Sequence, residues 1–178
     1  MVDATDTQDG DADSTVETRI NALLTPSDGG QSLITIAAAE SLTGGHVSAR
    51  ITTISGSSGY FLGGIVAYSN AAKASLLGVS QETLATRGAV SAECAREMAE
   101  GARRAFSADL AVATTGIAGP GGATERKPVG LVYIGLANPD GVTTEEFRFP
   151  GGRAVVTDAS TEAALLMLLR GLERRLDK

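Results

Sequence analysis

Apolar residues along this chain recur with two periods. Val16, Ile20, Leu23 and Leu24 fall on one helical face behind Ser14-Thr15-Val16-Glu17, whose S-x-x-E order is that of a capping box. A helix is expected there, ended by Pro26 and the Gly29-Gly30 pair. Cys94, Met98, Ala102 and Ala105 form a second stripe, on a longer helix that Ser91 can cap. Continuous apolar runs at 33–38, 63–69 and 109–115 read instead as buried strands. Between them, helices are expected from Gly44 to about Thr52 and over a short segment bearing Lys73, with Asn70 as N-cap and Gly78 as the closing residue. Runs at 129–137 and 142–149 flank Asn138-Pro139-Asp140-Gly141, a strong turn signal that makes them an antiparallel hairpin, and a helix from about Arg153 to Leu176 follows.

Strands alternating with helices and then a hairpin predict an α/β fold: a three-layer α/β/α sandwich on a mixed, mostly parallel sheet of about five strands. Residues 1–13 are small, polar and acidic without apolar periodicity, and are expected to form a disordered tail. Residues 14–178 read as a single domain, with no internal repeat and no dividing linker.

Composition narrows the chemistry. The formal net charge of -6 argues against a nucleic-acid surface, which needs clustered Lys and Arg. The single Cys94 permits no internal disulfide, and no N-terminal stretch has the layout of a signal peptide or the length of a membrane span, so a cytoplasmic protein without a membrane partner is expected. One histidine, His46, cannot supply a site built on several imidazoles, and no metal or cofactor is expected. Small α/β enzymes are commonly symmetric oligomers, which makes a homodimer the default.

The stretch Ala39-Glu40-Ser41-Leu42-Thr43-Gly44-Gly45 lies between an expected strand and an expected helix. In open α/β sheets ligands collect at that end of a strand, where the next helix offers free N–H groups. Ser41 reads either as a nucleophile or, with Thr43, as a helix cap. A nucleophilic serine needs a base. His46 is one candidate, although a histidine in the first turns of a helix is more often a surface or packing residue. Lys73 is another, provided that burial lowers its pKa, and otherwise an exposed helix lysine. Tyr68 reads as a core aromatic at a strand end, its hydroxyl merely satisfied. Thr114-Thr115-Gly116-Ile117-Ala118-Gly119-Pro120-Gly121-Gly122 would put backbone donors and hydroxyls at a strand end, suited to a phosphate or an oxyanion. Lys127-Pro128-Val129-Gly130 reads as a strand entry, and Arg153 after Gly151-Gly152 as an anion ligand or a surface residue.

Taken in order, Ala39-Glu40-Ser41-x-Thr43-Gly44-Gly45, Gly56-Ser57-Ser58, Tyr68-Ser69-Asn70 with Lys73, Gly88-Ala89-Val90-Ser91, Thr115-Gly116-Ile117-Ala118-Gly119-Pro120 and Lys127-Pro128-Val129-Gly130 resemble the CinA C-terminal domain family over roughly residues 20–172. The resemblance implies deamidation of nicotinamide mononucleotide to nicotinate mononucleotide and ammonia, in pyridine-nucleotide salvage. It implies Ser41 as nucleophile, Lys73 as its basic partner and Tyr68 as a hydrogen-bonding assistant. It also implies a substrate-binding set of Glu40, Thr43, Gly44, Gly45, Thr115, Gly116 and Arg153 around a phosphorylated nucleotide. Leu42 stands where the family commonly has cysteine, a change read as packing. The large N-terminal domain of full-length members is absent from this sequence, and its activity is not transferred. Two other readings stay open: an amidase or hydrolase of another phosphorylated small molecule, and a non-catalytic ligand-binding member of the fold.

Overall fold

A computed structural model of the protein describes residues 15–26, 32 and 34–177. The acidic segment 1–13, Ser14, the Gly29-Gly30 pair and Leu33 lie outside the described residues. Five strands form one sheet: β1 Ile36–Glu40, β2 Phe61–Val66, β3 Leu110–Gly116, β4 Leu131–Asn138 and β5 Gly141–Arg148, in spatial order β2-β1-β3-β4-β5. β1 is parallel to β2 and β3, while β4 runs antiparallel to both β3 and β5, so only β4 points against the rest.

Strand period 2 sends alternate side chains to opposite faces and separates two cores. Ile36, Ala38, Leu110 and Val112 face α1 Val16–Leu24, α2 His46–Thr52 and α6 Arg153–Leu176. Ala37, Ala39, Ala111 and Ala113 face α3 Asn70–Leu77 and α5 Ala92–Phe106, beside the short α4 Gln81–Thr86. The all-alanine face lets α5 lie close to the sheet. A Cβ on Gly135 would come within 2.5 Å of the Ala95 carbonyl oxygen, and one on Gly101 within 2.0 Å of that of Leu77. Glycine at these two positions therefore seats α5 against both β4 and α3.

Several boundaries differ from the sequence reading. Thr15 caps α1, accepting from the Thr18 N–H, and Leu23 turns partly outward, which narrows the apolar stripe. β1 continues two residues further, to Glu40, because its end is buried between two neighbours. Ser69, not Asn70, caps α3 by accepting from the Ala72 N–H, whereas Ser91 and Gly78 act as expected. Ala105 is exposed, so the α5 stripe ends at Ala102. The helix α4 was not foreseen. Its six residues carry little apolar pattern, and Glu97 of α5 anchors its start by accepting from the Ser80 N–H and the Thr83 hydroxyl, both at 2.6 Å.

Among the described residues, no helix is long and apolar enough to cross a membrane.

Candidate active site

The strand order places a topological switch at β1, whose neighbours β2 and β3 are reached in opposite directions, and a crevice opens beyond the carboxyl ends of these strands. Ser41 is the first residue past β1, fixed by a 3.0 Å hydrogen bond from its N–H to the Thr114 carbonyl on β3. Past β2, the Ala67 N–H bonds the Glu40 carbonyl at 2.8 Å, and the chain turns into α3. Lys73, one turn into α3, is thereby directed back over the end of β1. Its Nζ lies 2.8 Å from Ser41 Oγ and donates to the Ala67 carbonyl at 2.8 Å.

Lys73 is 2% exposed and Ser41 8%. Burial pushes the Lys73 pKa below its ordinary value of 10.5. The group acting in the opposite direction is Cys94, but burial pushes that thiol up to about 11, so it is uncharged at neutral pH and gives Lys73 no counter-ion. The neighbouring carboxylate is also committed elsewhere. Glu40, wholly buried, accepts from the N–H groups of Gly45 at 2.9 Å, Val47 at 3.1 Å and Ser48 at 2.8 Å, and from the hydroxyls of Thr43 and Ser48. An amine that is desolvated and unpaired favours its neutral form, which can accept the serine proton.

The pair sits in the wall of a cleft of about 720 Å³, counted to its open mouth. Tyr68, Thr115, Gly116 and Arg153 line it with Ser41 and Lys73. Arg153, at the start of α6, donates to the Gly119 carbonyl at 3.0 Å and to the Tyr68 hydroxyl, which closes one side of the mouth. Tyr68 is 58% exposed and bonds Arg153, not Ser41 or Lys73. The Thr115 hydroxyl donates to the Ala89 carbonyl at 2.6 Å. Gly116 admits no side chain, since a Cβ would meet the Leu131 carbonyl oxygen at 2.7 Å.

Four residues of the expected substrate-binding set stand outside the cleft. Glu40 and Thr43 have no exposed surface, and with Gly44 and Gly45 they build the entry to α2. Gly44 N–H donates to the Ser41 carbonyl and Gly45 N–H to Glu40, so neither is free to meet a ligand. His46 is exposed and its Nδ1 is bonded to the Thr43 carbonyl, away from Ser41. Leu42, Asn70, Ala89 and Val90 line the cleft without having been singled out as site residues. Asn70 and Gly88-Ala89-Val90 belong to the motifs that carry the family resemblance, and that is their signal in the sequence. A second cleft, about 510 Å³ beside Asn138, Asp140 and Arg174, lies by the β4–β5 turn and the last turns of α6 and holds no nucleophile.

The family model for the CinA C-terminal domain matches residues 17–172. The chain belongs to the CinA C-terminal domain family. The CinA-like protein of Geobacter sulfurreducens is 45% identical over 162 residues, covering 91% of this chain and 38% of that protein. The CinA-like protein of a Mycobacterium species, strain JLS, is 53% identical over 140 residues, covering 78% and 33%. The chain thus spans little more than a third of the curated relatives it matches. Among solved structures, the competence/damage inducible protein CihA from Agrobacterium tumefaciens superposes with a TM-score of 0.82 at 42% identity, covering 89% of this chain and 93% of that one. A CinA superfamily protein from Enterobacter cloacae gives 0.81 at 29% identity, covering 96% and 99%. The CinA domain fold is therefore shared over nearly all of the described chain.

Proposed function

We propose that this CinA domain is an amidohydrolase that deamidates nicotinamide mononucleotide to nicotinate mononucleotide and ammonia. The observation that carries the reaction type is the 2.8 Å approach of Lys73 Nζ to Ser41 Oγ, both buried, with no carboxylate of the described residues paired with the amine. The pyridine nucleotide is what the family resemblance implies, and the glycine-rich turn with Arg153 suits its phosphate.

In the neutral amine one N–H bonds the Ala67 carbonyl and the lone pair accepts the Ser41 proton. The serine oxygen then attacks the carboxamide carbon, forming a C–O bond as the carbonyl pair moves onto oxygen. Backbone donors stabilise that oxyanion, one such donor being worth about 2.7–4 kcal/mol in other hydrolases. With Gly44 and Gly45 engaged, the donors fall to the turn after Gly116, where the Ala118 and Gly119 N–H groups have no acceptor among the described residues. Collapse of the tetrahedral adduct breaks the C–N bond, and the proton held by Lys73 goes to the departing nitrogen as ammonia forms. Water, deprotonated by the regenerated amine, splits the acyl ester and frees the carboxylate. Tyr68 acts through Arg153 at the mouth rather than as a relay between Ser41 and Lys73.

The test is ammonia release by the purified protein supplied with nicotinamide mononucleotide. Release with stoichiometric nicotinate mononucleotide supports the reading. No release, alongside turnover of another phosphorylated carboxamide, would replace the substrate and keep the chemistry.

A further inference from the structure

Between α4 and α5 the chain passes through residues 87–90 without regular secondary structure, and this segment forms one wall of the cleft through Ala89 and Val90. Its four consecutive carbonyls are all held by side chains. Lys127 Nζ donates to Arg87 at 2.6 Å and to Val90 at 2.7 Å, Ser91 Oγ to Gly88 at 2.9 Å, and Thr115 Oγ1 to Ala89 at 2.6 Å. Two of the four bonds come from one ammonium.

That ammonium comes from the far end of the glycine-rich loop, a second lining segment of the cleft, although Lys127 itself stands outside the lining. Thr124 and Lys127 exchange backbone hydrogen bonds at 2.9 and 3.2 Å, and the Thr124 hydroxyl accepts from the Lys127 N–H at 3.1 Å, making a tight turn at the far end of the glycine-rich loop. The same loop lines the cleft from Gly116 to Gly122. Its base is closed by Ile117 N–H to the Leu131 carbonyl and Gly130 N–H to the Ile117 carbonyl. Lys127 thus bridges a loop that lacks a ladder of its own to a wall that also lacks one. The Gly88 backbone has φ +79, and a Cβ there would stand 3.3 Å from Lys127 Nζ, so the amine is seated against bare backbone.

We infer that Lys127 is a positioning residue that fixes the separation of the two walls and so sets the affinity of the cleft for its ligand, without touching the reacting atoms. The ammonium has no carboxylate partner among the described residues, and its work is done on carbonyls. Charge-assisted bonds of this kind are stronger than neutral ones, so their loss loosens both segments and leaves the neutral Thr115–Ala89 bond to hold them together more weakly. The inference rests on the amidohydrolase reading for its kinetic part only.

Two measurements on the full chain test it. Hydrogen exchange without substrate, comparing the parent with Lys127→Met, is expected to quicken about tenfold or more at the Gly88, Thr124 and Lys127 N–H groups, which are hydrogen-bonded at the two ends of the clamp, while α3 and β1 are unchanged. Steady-state deamidation of nicotinamide mononucleotide is expected to show KM raised about tenfold with kcat within about threefold, the signature of lost uniform binding. Lys127→Arg, which keeps a multi-donor cation on a long side chain, should recover most of the affinity. Should Lys127→Met fail to fold, Lys127→Gln, with one amide donor group, carries the same comparison. Exchange and KM within twofold of the parent, or a fall in kcat at constant KM, overturns the inference. A parent protein inert on nicotinamide mononucleotide would defeat the deamidase reading alone, and exchange would then decide the clamp.

Discussion

Glu40 and Ser41 are consecutive residues at the end of one strand, yet their side chains serve separate structures. The Glu40 carboxylate closes the N-terminus of α2 from inside the protein, whereas the Ser41 hydroxyl meets Lys73 across the mouth of β1. Because the carboxylate is saturated by helix donors, it neither pairs with the lysine nor raises its pKa. The acid beside the nucleophile is thus a structural element that leaves the amine unpaired.

Glu40→Gln is accordingly expected to act on stability first. It puts an amide NH2 among backbone donors and removes the charge that faces them, costing about 2–3 kcal/mol. Urea unfolding should show the loss, with the residual folded protein still binding ligand. An unchanged midpoint would mean that α2 needs no buried anion.

Ser41→Ala should fold as the parent does and lose deamidation by about a thousandfold or more, since it deletes the attacking atom. Ammonia release together with thermal unfolding reads both halves. Turnover within tenfold of the parent would remove Ser41 from the nucleophile role.

The pH dependence follows from Lys73. The reaction needs the neutral amine, and burial holds its pKa below 10.5, so kcat/KM should rise with pH and level off at a midpoint below that value. Stability carries the same proton. Between the depressed folded pKa and the unfolded value near 10.5, the unfolded chain binds the extra proton, so stability rises with pH in that window, by at most about 1.4 kcal/mol per pH unit. Lys73→Met should abolish activity and remove this increment, seen as the difference between parent and variant urea midpoints at pH 8 and 10. A constant difference would show that the amine titrates alike in both states.

Arg153→Ala breaks the bridge between Tyr68 and the Gly119 carbonyl and removes the cation at the mouth. KM for a phosphorylated substrate should rise about tenfold, with a smaller effect on the unphosphorylated nucleoside. Equal loss with both substrates would assign Arg153 to shaping the mouth and not to the phosphate.

Much of the architecture was legible in local pattern. Apolar runs with flanking glycines mark β1, β2 and β3, and Asn138-Pro139-Asp140-Gly141 marks the β4–β5 turn, because strand burial and turn chemistry leave short-range traces. α4 left only a weak one: Ser80 caps it by accepting from the Thr83 N–H, but a single cap before six residues with little apolar pattern does not mark a helix, and Glu97, fourteen residues beyond Thr83, holds its start. Residue types also nominated Ser41, Lys73 and Arg153, since few groups can attack a carbonyl, take a proton or hold an anion.

What the amino-acid order determined by itself was therefore the elements and the menu of reactive groups. Tertiary structure alone decided which of those groups meet. Ser41 and Lys73 are joined because β1 and β2 are neighbours whose ends lie side by side, and the same packing desolvates the amine. Glu40, Thr43, Gly44 and Gly45, adjacent to the nucleophile in sequence, were drawn into the α2 entry, where buried donors and a buried carboxylate satisfy one another. Proximity along the chain is set by covalent bonds; a shared cleft depends on strand order and on where each polar group finds its partner.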